Sequence, residues 1–215
     1  MHMVIFDCDG VLVDSERISN DVLARMLSDE GLPTTVEQAR RDYQGLLLGE
    51  IVDDVEARLG RSLPLGWVAR YERERGEVFR RELRSVPGAR EVVARATDAN
   101  LKVCVASQGK LEKTRLSLDL TGLRQLFPDT ALFSAHSVPR GKPHPELFLH
   151  AAHEMGVQPA GCVVIEDTPS GVTAAVSAGM RVFGYAADSD ASALRAAGAE
   201  IFHSHDELPR LLGLD

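Results

Sequence analysis

Two acidic residues close an apolar segment near the beginning of the chain. The segment is Val4-Ile5-Phe6, the acids are Asp7 and Asp9, and Gly10 follows them. Gly10 allows the backbone to leave strand geometry, which can turn both carboxylates toward one pocket. Ligands of α/β proteins bind at the carboxyl ends of the parallel strands. The spacing and the position of the two acids therefore predict a functional pair.

Three other predicted strands also end in polar residues. Ser107 and Gln108 come before a predicted helix, so a hydroxyl group and free backbone N–H groups are available to an anion. Lys142 stands between a glycine and a proline, and Glu166 and Asp167 follow a later strand. Because the carboxyl ends of parallel strands share one edge of the sheet, we expect these residues beside the first acidic pair.

This edge of the sheet therefore concentrates carboxylates around one lysine and one hydroxyl group. Crowded carboxylates repel one another unless they share protons or bind a divalent cation. A set of oxygen ligands favours Mg²⁺, which retains several water molecules and needs few protein ligands. The formal net charge of −8 argues against nucleic acid as a partner. A bound cation would let the acidic edge hold an anionic phosphate group.

The elements that carry these residues fall into two groups. Apolar residues recur at helical spacing in the segments 16–30, 36–42, 47–60 and 64–84, and no convincing strand interrupts them. Strands and helices alternate from residue 86 onward. The predicted helices are 89–99, 110–120, 145–156, 169–178, 190–197 and 205–212, and the predicted strands are 101–106, 131–134, 161–165, 181–185 and 199–202.

Alternating strands and helices indicate an α/β fold with a parallel sheet that is covered by helices. We predict a Rossmann-like catalytic core from residues 1–14 and 86–215, and a small helical module from residues 15–85. Three cysteines without a close spacing indicate reduced thiols and a cytoplasmic setting. The chain enters its first strand at once and has no apolar segment of membrane-spanning length. Neither a signal peptide nor a membrane partner is expected.

The order of these motifs resembles the haloacid dehalogenase superfamily, whose phosphotransferases use an aspartate nucleophile. The segment Asp7–Ser15 matches the first motif in full, Ser107 the second, Lys142 the third and Glu166-Asp167 the fourth. The resemblance covers essentially the whole chain. The helical module is similar to the helical cap of the subgroup that contains sugar-phosphate phosphatases and β-phosphoglucomutases. Residues 148–157 and the closing helix look most like 6-phosphogluconate phosphatase-type members.

The resemblance implies a Mg²⁺-dependent phosphatase that acts through an aspartyl-phosphate intermediate on a small phosphorylated metabolite, a sugar phosphate or sugar-acid phosphate. Asp7 would attack phosphorus, and Asp9 would protonate the leaving alcohol and then deprotonate water. The implied metal ligands are Asp7, Asp9 through its backbone carbonyl, Asp167, and Glu166 directly or through water. The implied phosphate-binding residues are Ser107, Gln108 and Lys142.

Particular residues disfavour other reactions of the same family. Asp9 argues against a dehalogenase, which lacks the second aspartate. A phosphonate hydrolase of the family forms a Schiff base with a lysine of its cap. This chain has no lysine before Lys102, which excludes that reaction. A β-phosphoglucomutase carries a cap histidine and a cap arginine where this chain has Ser19 and Leu48, although Arg75 is another basic residue of the module. Hydrolysis is favoured, and the phosphosugar mutase is the alternative reaction.

Two non-catalytic functions fit the sequence less well than an enzyme does. A phospho-accepting signalling module also clusters acids, a hydroxyl group and a lysine at a sheet edge. Its phosphorylated aspartate lies on a middle strand, however, and it lacks a helical insert. A catalytically silent relative is disfavoured because all four motifs are intact.

Substrate specificity is expected to come from the helical module. The candidate substrate residues are Glu16, Asn20, Gln44 and Arg75. Arg75 is preferred among them because its guanidinium group can meet a carboxylate or sugar hydroxyl groups. The protein is expected to act as a monomer or a weak homodimer.

Overall fold

Six β-strands and ten α-helices form in residues 1–214, which are the residues that the computed structural model describes. The strands are β1 (Met3–Phe6), β2 (Lys102–Ser107), β3 (Leu132–Ser134), β4 (Cys162–Glu166), β5 (Arg181–Tyr185) and β6 (Glu200–Phe202). The helices are α1 (Glu16–Asp29), α2 (Val36–Tyr43), α3 (Leu48–Leu59), α4 (Trp67–Glu82), α5 (Ala89–Asp98), α6 (Leu111–Leu120), α7 (Glu146–Glu154), α8 (Pro169–Ser177), α9 (Ala191–Ala197) and α10 (Leu208–Leu212).

All six strands are parallel and form one sheet in the order β3-β2-β1-β4-β5-β6. In the register of the central strand, Ile5 lies opposite Cys104 of β2 and Val164 of β4. Every residue of β1 is completely buried, as expected for a strand covered on both faces. The predicted α/β fold is confirmed, and β1 delivers its carboxyl end to the middle of the sheet edge.

The chain divides into two compact units, with boundaries at residues 13/14 and 84/85. Residues 14–84 form the helical unit, and the remainder of the described chain forms the sheet unit. The helical unit has its own apolar core, in which α1 packs against α2 and α4. The buried members of that core are Val22, Leu23, Ala24, Met26, Leu27, Ala39, Tyr43, Ile51, Val55, Trp67 and Tyr71. The function of the helical unit as a cap remains a prediction.

The two segments that join the units are paired with each other. Val13 and Ser85 form an antiparallel bridge. The backbone N–H of Asp14 donates to the carbonyl of Arg84 at 2.9 Å. The chain therefore leaves the sheet unit and returns to it through two adjacent antiparallel segments.

Most of the predicted helices begin and end within two residues of the observed ones, and two helices differ more. The helix predicted over 64–84 begins at Trp67, because Gly66 adopts a left-handed conformation with a φ of 83°. The helix predicted over 205–212 is divided into a 3₁₀ turn, His205–Glu207, and the short helix α10. Among residues 1–214, no helix combines the length and the apolar character needed to cross a membrane.

Candidate active site

The first acidic pair lies where the central strand β1 ends. The backbone N–H of Asp7 still donates to β4 at 2.9 Å, but beyond it two backbone N–H groups fold back to the carbonyl of Cys8. Gly10 follows with a left-handed φ of 76°, and a Cβ atom there would collide with the Asp167 carboxylate. Gly10 is therefore required both by its backbone conformation and by the close approach of the fourth motif.

Lys142 connects the first motif to the fourth. Its Nζ lies 2.5 Å from Asp7 Oδ1 and 2.5 Å from Glu166 Oε1. The side chains of Lys142, Asp7 and Glu166 are 3%, 8% and 0% exposed. Phe148 lies beneath the ammonium group, with its ring centroid 5.3 Å from Nζ. A buried charge is tolerated only when it is paired, and here one ammonium group serves two carboxylates.

Burial and neighbouring charges act in opposite directions on this trio. Burial raises the pKa of Asp7, Lys142 lowers it, and Glu166 and Asp9 raise it again, so that it reaches about 7. Burial alone would lower the pKa of Lys142, but Asp7 and Glu166 together raise it above its ordinary value. Lys142 therefore remains protonated at neutral pH. The effect of Asp9 on the pKa of Asp7 places both acids in one electrostatic environment.

Gln108 holds the backbone of Lys142 through both polar atoms of its side-chain amide. Lys142 N donates to Gln108 Oε1 at 3.0 Å, and Gln108 Nε2 donates to Lys142 O at 3.3 Å. Gly141 permits this approach, because a Cβ atom there would lie 2.8 Å from Gln108 Oε1. The Gln108 side chain is thus occupied in fixing the loop that carries Lys142, and the binding of phosphate by this residue remains a prediction. The motif spacing gives no signal of this contact.

The second acid, Asp9, lies between an ammonium group and a hydroxyl group. Lys113 Nζ forms an ion pair with Asp9 Oδ1, and Ser107 Oγ lies 3.5 Å from Asp9 Oδ2. The side chains of Lys113 and Asp9 are 13% and 20% exposed, so this pair lies closer to the surface than the pair of Lys142 and Asp7. The structure thus brings the first and second motifs together around one carboxylate.

Lys113 is a site residue that the motif pattern does not reveal. It lies in the first turn of α6, which begins at Leu111. The partial positive charge at a helix N-terminus disfavours a lysine there. Lys113 could have been identified from the sequence because it is a cation at an unfavourable helix position that follows the second motif closely.

The Glu166 carboxylate is surrounded by donors of the protein itself. Its Oε2 accepts hydrogen bonds from Asp167 N at 3.0 Å, Thr168 N at 3.0 Å and Thr168 Oγ1 at 2.9 Å, and its Oε1 contacts Lys142. Gly171 is also in contact, since a Cβ atom there would collide with this carboxylate. Oε2 therefore has three protein donors, whereas Oε1 has an ion-pair contact with Lys142. The contact of Glu166 with a metal ion, direct or through water, remains a prediction.

The oxygen donors of the first and fourth motifs suit a hard cation. The Asp167 carboxylate lies against Gly10. That carboxylate, the Asp7 carboxylate and the Asp9 backbone carbonyl are all oxygen donors of the kind that Mg²⁺ prefers. Across residues 1–214, no three His, Cys, Asp or Glu side chains lie together in the manner of a metal centre. A Mg²⁺ site with one backbone ligand and several waters does not need such a group. The residues present fit Mg²⁺.

Three predicted substrate residues make local contacts within the helical unit. Asn20 is buried, and its Nδ2 donates to Glu16 O at 2.8 Å and lies 3.4 Å from Glu16 Oε2. Gln44 Oε1 accepts a hydrogen bond from Arg40 Nε at 3.3 Å. These contacts orient the side chains, and their role toward a substrate remains a prediction.

The fourth predicted substrate residue, Arg75, lies over two aromatic rings of its own helix. Its guanidinium carbon is 4.9 Å from the centroid of the Tyr71 ring and 5.7 Å from that of Phe79. Such cation–π contacts restrict the rotamers of the arginine while leaving its N–H groups able to donate. Arg75 is therefore held against aromatic rings of its own helix, and its role toward a substrate remains a prediction.

The family is shown by comparison with known proteins. A family model described as haloacid dehalogenase-like hydrolase matches residues 1–179. The chain belongs to the haloacid dehalogenase-like hydrolases, as its motifs predicted. Together with curated relatives that are phosphatases, this match makes the chain a phosphoric monoester hydrolase.

The chain is similar to two phosphatases of Escherichia coli K12 and to a solved hydrolase. The 6-phosphogluconate phosphatase is 34% identical over 186 residues, which cover 86% of this chain and 82% of the relative. Hexitol phosphatase B is 33% identical over 183 residues, covering 82% and 80%. The structure of a hydrolase of the same family from Deinococcus radiodurans, with bound phosphate and sodium, is 28% identical with a TM-score of 0.81. That similarity covers 100% of this chain and 97% of the other.

Proposed function

We propose that this protein is a Mg²⁺-dependent phosphatase that hydrolyses a small sugar phosphate or sugar-acid phosphate through an aspartyl-phosphate intermediate. The observation that carries the proposal is the buried carboxylate of Asp7, paired with Lys142 at the end of the central strand and influenced by Asp9. The names of the two similar phosphatases support a phosphorylated sugar derivative as the substrate.

In the first step, a carboxylate oxygen of Asp7 attacks phosphorus while the bond from phosphorus to the ester oxygen breaks. Asp9 transfers its proton to the departing oxygen, so that the leaving group departs as a neutral alcohol. Lys142 fixes the orientation of Asp7 and offsets negative charge at the reaction centre. The products of this step are the aspartyl phosphate and the alcohol.

In the second step, Asp9 accepts a proton from a water molecule whose oxygen attacks phosphorus. The bond between phosphorus and Asp7 breaks, which releases inorganic phosphate and restores the Asp7 carboxylate. Asp9 is protonated again, so both acids return to their starting states.

Mg²⁺ would be held by the Asp7 and Asp167 carboxylates and the Asp9 backbone carbonyl. When bound, it would offset the negative charge of the phosphoryl group and the carboxylates. Glu166 would hold Mg²⁺ directly or through a water molecule, and its ion pair with Lys142 connects it to Asp7. The family member that contains phosphate and sodium supports the combination of an anion and a cation in this fold.

The phosphoryl oxygens are bound by the Ser107 hydroxyl group, by Lys142 and by the backbone N–H groups that lead into α6, where Gln108 contributes its main chain. The rest of the substrate contacts the helical unit, which acts as the cap. The proposed cap contacts are Glu16, Asn20, Gln44 and Arg75. The three buried free thiols support a cytoplasmic setting, in which we expect a monomer or weak homodimer.

The decisive experiment incubates the purified protein and Mg²⁺ with a panel of phosphorylated metabolites and an aryl phosphate. We expect release of inorganic phosphate, with the best rates on sugar or sugar-acid phosphates, and loss of activity in excess chelator. Full activity in excess chelator would contradict the metal dependence. An inert protein across the whole panel would contradict the phosphatase.

The mutase alternative is tested by ³¹P NMR with a hexose 1-phosphate and a trace of its bisphosphate. Because Ser19 and Leu48 replace the histidine and arginine implied for a mutase, we expect phosphate release to match substrate loss. Formation of the 6-phosphate isomer with little free phosphate would identify a mutase instead.

A further inference from the structure

The ion pair between Lys113 and Asp9 lies at the rim of the site, and the two reaction steps give Lys113 no task. We propose that Lys113 is a second cation of the phosphate site, and that the Asp9 carboxylate occupies its ammonium group until a phosphate ester binds. The inference rests on the proposed function and adds a residue to that site.

Lys142 is poorly placed to be the sole cation for a phosphate. Its ammonium group already contacts two buried carboxylates, Asp7 and Glu166, each at 2.5 Å. Turning it toward a ligand would leave a buried carboxylate without its partner, which is costly. The charge of Lys142 is thus largely used by the protein, and a doubly charged phosphate group needs a further cation.

Lys113 meets this need because its ion pair can open at lower cost. The Lys113 and Asp9 side chains both retain some exposure to solvent, whereas Glu166 has none. Water can therefore solvate the Asp9 carboxylate when the ammonium group turns away from it. Separating an ion pair that has access to water costs less than leaving a buried charge without its partner, so a phosphate can compete for Lys113.

The position of the Asp9 carboxylate matches that of an anionic ligand. One oxygen pairs with Lys113, and the other lies 3.5 Å from the hydroxyl group of Ser107, the residue of the second motif. The ten-residue helix α6 begins directly behind these groups. A lysine in the first turn of a helix is unfavourable in itself, and an anion in front of that turn removes the penalty.

Substrate binding then exchanges one anion for another, and the released Asp9 carboxylate takes up a proton from solvent, which is the proton that it gives to the ester oxygen in the first step. The phosphoryl oxygens take the places next to Lys113 and Ser107 that the Asp9 carboxylate held. Asp9 is released by the same event and becomes available to the ester oxygen. Binding of the phosphate group and release of the acid–base residue are thus coupled.

The test measures the affinity for inorganic phosphate by calorimetric titration in the presence of Mg²⁺. We expect Lys113→Met to weaken binding by about tenfold, the effect of losing one charge-assisted hydrogen bond. Asp9→Asn should strengthen binding, because the competing carboxylate is gone. In the Asp9→Asn background, Lys113→Met should again weaken binding, since the lysine contacts the phosphate directly.

Lys102→Met is the matched control, because Lys102 donates to Met155 O at 2.6 Å at the opposite end of β2. It removes the same charge and should leave the affinity for phosphate unchanged. Methionine is a good helix former, so Lys113→Met should keep α6, which thermal unfolding verifies.

Three results would overturn the inference: a wild-type protein that binds no phosphate, a change below twofold in Lys113→Met, or loss of its effect in the Asp9→Asn background. The last result would mean that Lys113 only neutralises Asp9. The titration needs no turnover, so it tests Lys113 even if the protein hydrolyses none of the phosphate esters. Such inertness would instead reject the proposed function.

Discussion

The buried site of the sheet unit and the surface of the helical unit use charged residues in different ways. In the sheet unit, Lys142 and Glu166 form an ion pair at 2.5 Å with 3% and 0% of their side chains exposed. In the helical unit, Arg25 and Glu74 form an ion pair at 2.7 Å with 51% and 24% exposed. The distances are similar, but the surroundings differ. An exposed pair contributes about 0–1 kcal/mol, whereas removing one partner of a buried pair costs about 3–5 kcal/mol.

This difference predicts which charged residues tolerate substitution and which do not. Each charge of the buried site depends on the others, so a single substitution affects both the fold and the chemistry. The charges of the helical unit depend mainly on water. They can be replaced at little cost in stability, which suits a region proposed to select the substrate.

The largest expected effect is on turnover when the buried nucleophile is changed. Asp7→Asn should abolish hydrolysis and the covalent intermediate, because an amide is a poor nucleophile. Asp9→Asn should slow the steps that need proton transfer by about 10²–10⁴-fold. Steady-state kinetics and trapping with beryllium fluoride separate the two variants, and trapping should survive better in Asp9→Asn. Near-normal turnover by Asp7→Asn would contradict the proposed mechanism.

The comparison of ion pairs is tested directly by unfolding in denaturant. Without divalent cations at pH 8, Lys142→Met should lower the free energy of unfolding by about 3–5 kcal/mol, because it leaves Asp7 and Glu166 buried without their cation. Arg25→Met is the matched variant and should lower it by less than about 1 kcal/mol. Equal losses in the two variants would remove the distinction between the units.

A smaller effect should appear in the pH dependence of stability. All seven histidines lie outside the helical unit. His205 is buried between the rings of Tyr185 and Phe202, with centroids 4.7 Å and 5.7 Å away. Burial lowers the pKa of His205 from 6.5 to about 4, although the Val11 backbone and Asp206 oppose the shift.

The sign of that effect follows from proton binding. Between pH 6.5 and about 4, the unfolded chain binds a proton at His205 that the folded chain does not, so the stability is lost as the pH falls through this range. The loss from this residue is about 1.4 kcal/mol per pH unit. From pH 7 to pH 4.5, the free energy of unfolding should decrease by about 1.4 kcal/mol per pH unit more in the wild type than in His205→Leu, because other groups, such as Asp7 with its raised pKa of opposite effect, contribute equally to both proteins. An unchanged slope in the variant would assign the pH dependence to other groups.

The smallest effect is expected in the helical unit. Arg75→Ala should raise KM for a sugar-acid phosphate while leaving an aryl phosphate almost unaffected, which is the pattern of lost uniform binding. Arg73→Ala, at an exposed position of the same helix, is the control. Equal changes on both substrates would place Arg75 outside substrate selection.

The sequence predicted the alternation of strands and helices because β1 is a short, fully apolar segment and the helical segments have apolar residues at regular spacing. The polar residues at the strand ends were predicted by the same logic, since parallel strands share one edge. The side-chain contacts at that edge could not be predicted. Gln108 meets Lys142 and Lys113 meets Asp9 across separations of 34 and 104 positions. Only the packed strand order β3-β2-β1 brings such residues together.

Glu166 illustrates that a sequence motif can identify a site residue without revealing which groups its side chain contacts. The pair Glu166-Asp167 reads as two equivalent acids, yet only Asp167 lies against Gly10. Glu166 turns to the backbone N–H groups that follow it and to Lys142. These N–H groups belong to Asp167 and Thr168, which immediately precede the start of α8 at Pro169.

The bridge between Val13 and Ser85 means that the sheet unit holds the two ends of residues 14–84 side by side. In the topology of the sheet unit, residues 14–84 are a single long connection between two paired antiparallel segments. Loop closure becomes harder only slowly with length, by about 0.6 kcal/mol for each doubling. A different insert could therefore be grafted between Val13 and Ser85 as an exchangeable cassette, and the graft would need only two chain ends that lie one bridge apart.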